Sequence, residues 1–194
     1  MYKEGKKNKF GFIVSDGDIA LAPIRADDEA IIQYTKWVND REIARFIGGA
    51  VKIRSFETEK EWALKASKEQ SCDKLSFNIV VLNDDALIGN CELRRLNIYG
   101  SWELGILIGE EDYLGKKYGR KVIGMLLKLA FDDLGARRVR LTANSENERA
   151  LRCYKACGFE ICGVEHETEC FDGKWSNTIY MEIMASKYSK MGFK

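Results

Sequence analysis

Apolar and polar positions change their spacing several times along the chain, and each change predicts a new secondary-structure element. Alternating or continuous apolar runs predict strands at 9–14, 19–24, 76–82, 87–93, 102–108 and 137–143, with a final hairpin of 159–171 and 174–184. Helical spacing predicts helices at 27–38, 40–47, 58–66, 115–134 and 145–157. The order of these elements indicates a sheet with helices packed on its faces.

Polar residues at the ends of the helical segments support these boundaries. Asp27 can accept a hydrogen bond as the N-cap of the first helix. Capping-box patterns would open two later helices, one from Thr58 to Glu61 and one from Ser145 to Glu148. Glycines that can end helices follow at Gly48, Gly49, Gly135 and Gly158.

The predicted fold class is α/β (α+β), with a mixed, largely antiparallel central sheet and helices on both faces. Three consecutive strands in the middle of the chain are joined by short turns, which is typical of an antiparallel meander. Pro23 favours a position near a sheet edge because it has no amide hydrogen. We expect a single domain at 19–184, an N-terminal extension at 1–18 and a C-terminal tail at 185–194.

Composition excludes several classes of function. The 194 residues carry a formal net charge of +1, so neither a nucleic-acid partner nor an anionic membrane is expected. The six cysteines form no C-x-x-C pair and His166 is the only histidine, so zinc-site spacing is missing and no metal is expected. No apolar run is long enough to span a bilayer. Free thiols predict a reducing, cytoplasmic location.

A glycine-rich, basic segment follows the strand that ends near Ile108 and opens a helix. Its members are Gly115, Lys116, Lys117, Tyr118, Gly119 and Arg120. A helix N-terminus presents unpaired N–H groups and the positive end of its dipole, and glycines let the backbone approach a phosphate closely. The segment therefore predicts a phosphate site, although a lysine-rich, solvated helix start would have the same composition.

The next helix carries a second candidate feature. Asn147, Ala150, Leu151 and Tyr154 are spaced three or four residues apart, so they share one helix face. An Asn and a Tyr on a small apolar stripe can line a groove. Taken alone, Tyr154 would more often be a core aromatic residue whose hydroxyl is satisfied locally.

These motifs together resemble the GNAT superfamily of N-acetyltransferases. The family's pattern Asn-x-x-Ala-x-x-x-Tyr-x-x-x-Gly-Phe is met by Asn147, Ala150, Tyr154, Gly158 and Phe159. The family's phosphate loop, Gln/Arg-x-x-Gly-x-Gly/Ala, is matched at its last position by Gly119 and departs at Leu114 and Lys117. The segments 37–40 and 103–106 resemble the branch that contains ribosomal-protein alanine N-acetyltransferases.

The resemblance implies a GNAT-like fold and a cosubstrate, acetyl-CoA. The strand through Leu107 and Ile108 would diverge from the strand at 137–143, and pantetheine would lie between them. An N–H near Ile108 would polarise the thioester carbonyl. Amides of residues 115–120 would hold the pyrophosphate, and we expect Lys117 to need no positive φ because it would lie in a helical first turn.

The same resemblance assigns roles on the second helix and at the acceptor side. Asn147 would contact the pantetheine arm, and Tyr154 would protonate the departing thiolate. The attacking amine must lose a proton, so Glu103 and Glu92 are candidate bases, as is a water relay. Each Glu could equally be a solvated residue of the sheet, and His166 is more typical of a structural residue.

The predicted function is acetyl transfer to a primary amine by direct attack in a ternary complex. The acceptor could be a protein N-terminus or a small molecule, and the protein would be a monomer or homodimer. A non-catalytic acyl-CoA-binding module is the alternative. Residues 46–49 and the hairpin around Trp175 would flank the acceptor mouth.

Overall fold

The computed structural model describes residue 11 and residues 13–47, 53–69, 71 and 73–191. The strands in chain order are β1 (Val14–Asp16), β2 (Ile19–Pro23), β3 (Lys74–Val81), β4 (Ala86–Arg95), β5 (Ser101–Ile108), β6 (Arg138–Asn144), β7 (Glu160–Phe171) and β8 (Lys174–Met184). The helices are α1 (Asp28–Asn39), α2 (Arg41–Ala44), α3 (Phe56–Lys68), α4 (Tyr118–Lys128), α5 (Glu148–Ala156) and α6 (Ala185–Tyr188).

All eight strands form one sheet, in the order β1-β2-β3-β4-β5-β6-β8-β7. Every neighbouring pair is antiparallel except β5 and β6, which run parallel. The parallel pair forms because α4 and a π-helical turn (Leu129–Asp133) carry the chain back to the start of β6. The predicted class, a mixed and largely antiparallel sheet with helices, is confirmed.

Each face of the sheet has its own apolar core. On one face, inward residues of β2 to β6 such as Ile79 and Leu93 pack against α4, including Leu126. On the other face, α1 and α3 contribute Trp37 and Ala63 to a smaller cluster. This division follows from the alternation of side chains along each strand, which sends neighbouring residues to opposite faces.

Of three predicted helix caps, one agrees with the structure and two differ from it. Asp27 caps α1 as predicted, accepting a hydrogen bond from the Ala30 amide at 3.2 Å. Ser55, rather than Thr58, caps α3. Asn147, rather than Ser145, caps α5. Ser55 lies three residues before Thr58, and Asn147 lies two residues after Ser145. Each offers the same kind of short oxygen acceptor, so the sequence pattern alone does not show which residue is the cap.

The long helix predicted from residue 115 begins three residues later, at α4. Residues 115–117 instead belong to the loop before the helix, and its last predicted turns form the π-helical segment. Glycine-rich sequence does not by itself distinguish a helix start from the loop in front of it.

The expected extension and tail both contain ordered elements. β1 begins at Val14 and pairs with β2, so the sheet starts before residue 19. Residues 9, 10 and 12 of the predicted first strand lie outside the described residues, as do Gly48 and Gly49. At the other end, α6 packs the Tyr188 ring on Phe131, with ring centroids 4.6 Å apart.

The pairing between β5 and β6 stops after three residues. Ser101–Glu103 pair with Arg138–Arg140, and beyond this point the two strands separate. β6 remains paired with β8 along its whole length, and β5 remains paired with β4 through Ile108. The sheet therefore opens into a wedge between two strands that are each supported on their outer side.

Candidate active site

A cavity of about 1330 Å³ occupies the wedge and continues across the molecule. One end is lined by the loop before α4 and by α5, and the other end is lined by α2 and α3. Ligand pockets measure roughly 300–1,000 Å³. This cavity is larger, so it can hold an extended molecule together with a second, smaller one.

The strand register determines which β5 amides point into the wedge. Gly109, the residue after β5, donates its amide hydrogen to Ile88 of β4 at 2.9 Å. Hydrogen-bonding groups alternate sides along a strand, so odd-numbered residues of β5 face β4 and even-numbered residues face the other way. Ile106 and Ile108 have no pairing partner on β6. Their amides therefore point into the cavity.

The sequence assigned Leu107 and Ile108 together to the cosubstrate site, but their backbone groups point to opposite sides of β5. Leu107 faces β4 with its backbone, and its carbonyl oxygen approaches Gly89 so closely that an added Cβ would lie 2.0 Å away. Its side chain packs against the cluster that contains Trp37. The second amide in the wedge belongs to Ile106, a residue that sequence analysis missed because the register of β4 and β5 is a property of the folded sheet.

Glu110 fixes the loop that follows β5. Its carboxylate accepts hydrogen bonds from the indole N–H of Trp37 at 2.6 Å, from Lys36 at 3.2 Å and from Gln33. Gly109 packs directly on the Trp37 ring, where an added Cβ would lie 2.2 Å from a ring carbon. Only glycine fits at this position. Its close contact with Trp37 therefore holds the end of β5 against α1.

The loop before α4 contains two residues with left-handed backbone. Gly115 has φ +75°, and Lys117, the residue before the first helical residue, has φ 67° and ψ 6°. The expectation that Lys117 lies in a helical first turn is therefore wrong. Its position is one where the family pattern has Gly, and the structure supplies the reason, since this conformation suits glycine and costs roughly 1–2 kcal/mol for other residues.

Basic side chains collect at the end of the cavity formed by the loop before α4 and by α5. The lining cations are Lys117, Arg120, Arg149 and Arg152. Lys116 does not line the cavity and instead lies 5.1 Å from the centre of the Tyr113 ring. The Tyr118 hydroxyl donates to Asp18 at 2.9 Å, so this side chain ties α4 to the first hairpin.

Gly119 lies in the first turn of α4, next to the wedge. An added Cβ would be 3.6 Å from Cys153 Sγ and 3.7 Å from a methyl carbon of Ile108. The backbone of the first α4 turn thus comes close to both α5 and the end of β5. A phosphate-bearing chain that entered between them would meet backbone amides first.

Asn147 lines the cavity and also caps α5. Its Oδ1 atom accepts a hydrogen bond from the Ala150 amide at 3.1 Å. The side-chain amide NH2 is a donor group that this capping bond does not use. The capping role was not expected from the sequence, which had placed Asn147 within the helix.

Tyr154 is buried in the core between α5 and the sheet, with a relative exposure of 9%, and still lines the cavity. Its ring packs edge-on against Phe159, with centroids 6.2 Å apart. Among the described residues its hydroxyl forms no hydrogen bond. Burial raises the pKa of Tyr154, and the neighbouring Cys153 and Cys157 add to this. The phenol is therefore protonated at neutral pH, as a proton donor must be.

Glu92 and Glu103 both line the cavity on the face opposite Tyr154's helix, on adjacent strands. Glu103 forms ion pairs with Arg94 and with Arg140, the latter at 3.8 Å. Glu92 pairs with Lys74 at 3.4 Å. Both carboxylates are thus paired with cations.

Only some of the residues that were expected to flank the acceptor mouth line the cavity. Phe46 and Ile47 line the cavity, while residues 48 and 49 lie outside the described part of the chain. Trp175 is 62% exposed and does not line it. The tip of the β7–β8 hairpin nevertheless reaches α2, where Arg41 pairs with Asp172. His166 is exposed on β7 and does not line the cavity.

Comparison with known proteins gives the family. A family model described as an acetyltransferase (GNAT) domain matches residues 18–160. The chain belongs to this family. The matched residues include the two strands of the wedge, the loop before α4, and Tyr154. The chain is referred to below as a GNAT domain.

Individual relatives agree with this assignment. A spermidine N(1)-acetyltransferase from Vibrio cholerae is 34% identical over 103 residues, which is 53% of this chain and 59% of the relative. An aminoglycoside N(6')-acetyltransferase type 1 from Klebsiella pneumoniae is 22% identical over 80% of this chain and 81% of its own length. A crystal structure of the V. cholerae spermidine N-acetyltransferase with CoA and spermine has a TM-score of 0.77 at 24% identity, covering 90% and 99% of the two chains.

The described residues contain no group of His, Cys, Asp and Glu that could hold a metal ion. None of the described helices is long and apolar enough to cross a bilayer.

Proposed function

We propose that this GNAT domain transfers the acetyl group of acetyl-CoA to a primary amine of a small molecule by direct attack in a ternary complex. The observation that carries the proposal is the wedge, because one cavity brings together two unpaired strand amides, a basic loop with left-handed backbone, and a buried, protonated tyrosine. These are the parts that thioester aminolysis needs.

The chemistry assigns a separate task to each part. The neutral amine attacks the thioester carbon, and negative charge develops on the carbonyl oxygen. The amide of Ile108, assisted by that of Ile106, stabilises this oxyanion, since such preorganised donors are among the largest contributions to catalysis. When the C–S bond breaks, the Tyr154 hydroxyl donates a proton to the CoA thiolate. Attack leaves the nitrogen with one proton more than the amide product carries, and this proton reprotonates the phenolate.

Before attack, the acceptor ammonium must lose a proton, and this step is assigned to Glu92, which takes the proton directly or through a water molecule and passes it to solvent. Glu103 is less suitable because two arginines, Arg94 and Arg140, hold it. Glu92 has a single, half-exposed lysine partner. Its side chain also lies across Gly105 of β5, where an added Cβ would be 3.2 Å from Glu92 Cγ, so the carboxylate lies over the middle of the wedge strand.

The acceptor class is proposed from the relatives and from charge. Spermidine and aminoglycosides, which the names of the relatives give as substrates, are cationic amines. We therefore propose a small cationic amine, in preference to the protein N-terminus that the ribosomal-protein branch would imply. A solved V. cholerae spermidine N-acetyltransferase is described as dodecameric. Light scattering will show whether this chain is instead the expected monomer or homodimer.

The direct test measures CoA release from acetyl-CoA with and without a panel of amines. Amine-dependent release is the expected result. Tight acetyl-CoA binding without release would favour the alternative, a non-catalytic acyl-CoA-binding module. Gly119→Glu should weaken acetyl-CoA binding by placing bulk and negative charge beside the pyrophosphate. Gly124→Glu is its matched control in α4, because nothing lies within 4 Å of a Cβ at that position.

A further inference from the structure

Among the described residues, Glu59 is a buried acid whose Oε1 atom has no hydrogen-bond partner. It lies in the first turn of α3, and its relative exposure is 4%. Its Oε1 atom is shielded from solvent and forms no hydrogen bond. Arg54 forms an ion pair with Glu59, but its Nη1 atom is 3.6 Å from Oε1, beyond hydrogen-bonding distance. Buried carboxylates are almost always paired and hydrogen-bonded, so Glu59 is an exception that needs an explanation.

Glu59 lines the cavity of the candidate active site rather than the protein core. It stands at the end formed by α2 and α3, together with Trp62 and the strand residues Ser76 and Asn90. The register pairs Ser76 with Glu92 and Asn78 with Asn90, so these polar side chains lie on the sheet face that α3 covers. The carboxylate thus faces a polar strip across the cavity.

The two ends of the cavity differ in charge. The end with the loop before α4 and with α5 holds four lining cations, as described above. The end with α2 and α3 holds Glu59, with Glu92 and Glu103 on the nearby strands. The other lining cations among the described residues are Arg54 and Lys36, and Lys36 is paired with Glu110. Arg54 is 44% exposed, so its guanidinium can move into solvent at small cost. An ammonium group is the ligand that this end of the cavity fits.

Burial raises the pKa of Glu59, and the charge of Arg54 only partly offsets this. A buried carboxylate that lacks a hydrogen bond is stabilised by any cation that enters the cavity, because the cation balances its charge and donates a hydrogen bond to it. The half-buried ring of Trp62 next to it offers an apolar surface for methylene groups. Tyr34 packs edge-on against this ring, with ring centroids 5.3 Å apart.

We propose that Glu59 binds a second, non-reacting ammonium group of the acceptor, so that the preferred acceptors are linear diamines or polyamines. This inference rests on the proposed function and adds to it the feature that selects among amines. One amine would lie at the thioester in the wedge, the methylene chain would cross the cavity along Trp62, and the far ammonium would pair with Glu59.

The test compares two acceptors that differ only in the second charge, butane-1,4-diamine and butan-1-amine. Glu59→Gln keeps the size of the side chain and removes the charge. We expect the KM for the diamine to rise at least tenfold, with kcat, the KM for butan-1-amine and the KM for acetyl-CoA unchanged. Glu57→Gln, on the exposed side of the same helical turn, is the matched control and should change none of these values.

An equal change in KM for both acceptors, or no change for the diamine, would overturn the inference. Glu59→Asp retains the charge on a shorter side chain and should give a KM for the diamine between those of wild type and Glu59→Gln. A thermal unfolding curve for each variant shows that the comparison is made on folded protein.

Calorimetric titration of butane-1,4-diamine into the CoA complex separates this inference from the proposed function. Diamine binding that is weakened by Glu59→Gln, in a protein that acetylates no amine, would support the subsite and refute the enzyme assignment. Amine-dependent turnover, together with diamine binding that Glu59→Gln does not weaken, would support the enzyme assignment and refute the subsite. If the wild-type complex neither binds nor acetylates the diamine, the subsite is refuted.

Discussion

Tyr154 is buried deeply enough to stay protonated and is still open to the cavity on its hydroxyl side. Burial raises the pKa of its phenol, and no protein group within the described residues accepts its proton. A core tyrosine normally satisfies its hydroxyl with a neighbour, which was the alternative that the sequence left open. Its free hydroxyl, in a residue that lines the cavity, therefore favours the catalytic interpretation.

Replacing Tyr154 with Phe should lower kcat by about 100- to 10,000-fold, the range typical of general-acid catalysis. The dissociation constant of acetyl-CoA should stay within about twofold, because the hydroxyl acts when the C–S bond breaks and not when the cosubstrate binds. Stopped-flow turnover and calorimetry measure the two quantities. An unchanged kcat, or a loss of affinity as large as the loss of kcat, would assign the residue to binding or packing.

The pH profile of kcat/KM follows from the same raised pKa. A phenol acts as an acid only while protonated, so its contribution is lost as pH rises through its pKa. Since burial raises that pKa above its usual value near 10, no falling limb should occur between about pH 7 and 10. Over this range kcat/KM should rise as the acceptor amine loses its proton. A falling limb near pH 8 that disappears in Tyr154→Phe would show that the pKa is not raised.

At the level of elements, sequence patterns predicted most strands and helices but not the details of their ends. The sequence marked residues 115–120 as a candidate phosphate loop but did not predict their conformation, because lysine seldom adopts positive φ and the composition predicts a helix there. Likewise, Glu59 resembles any charged residue of a surface helix, and only the packing of α3 over the sheet shows that it is buried. Ends of elements depend on tertiary contacts that periodicity does not contain.

Two substitutions of Lys117 separate the effect of its conformation from that of its charge. Lys117→Ala and Lys117→Gly remove the same charge, so both should weaken acetyl-CoA binding to a similar extent. Only glycine relieves the left-handed strain at φ 67°. We expect Lys117→Gly to be more stable than Lys117→Ala by about 1 kcal/mol in chemical denaturation. Equal stability, or a more stable Ala variant, would contradict the left-handed conformation.

Over the whole molecule, two pieces of sheet are joined by a short parallel contact. β1 to β5 carry α1 and α3, whereas β6 to β8 carry α5 on the other side of the wedge. The sequence indicated divergence of the two central strands through the family resemblance, but it could not say which amides this leaves unpaired. The register of β4 with β5 decides which amides are unpaired. Paired and unpaired amides therefore alternate along β5.

Amide hydrogen exchange should reveal that alternation. Without ligand, the amides of Gly105 and Leu107 face β4 and should exchange slowly, whereas those of Ile106 and Ile108 face the wedge and should exchange rapidly. Acetyl-CoA should slow exchange at Ile106 and Ile108 by at least tenfold beyond any general stabilisation, because a pantetheine chain in the wedge would accept hydrogen bonds from them. Gly105 and Leu107 report the general effect, so residue-resolved NMR exchange contains its own control. Equal protection of all four amides, with or without acetyl-CoA, would mean that the strands close on each other in solution and that the cosubstrate binds elsewhere.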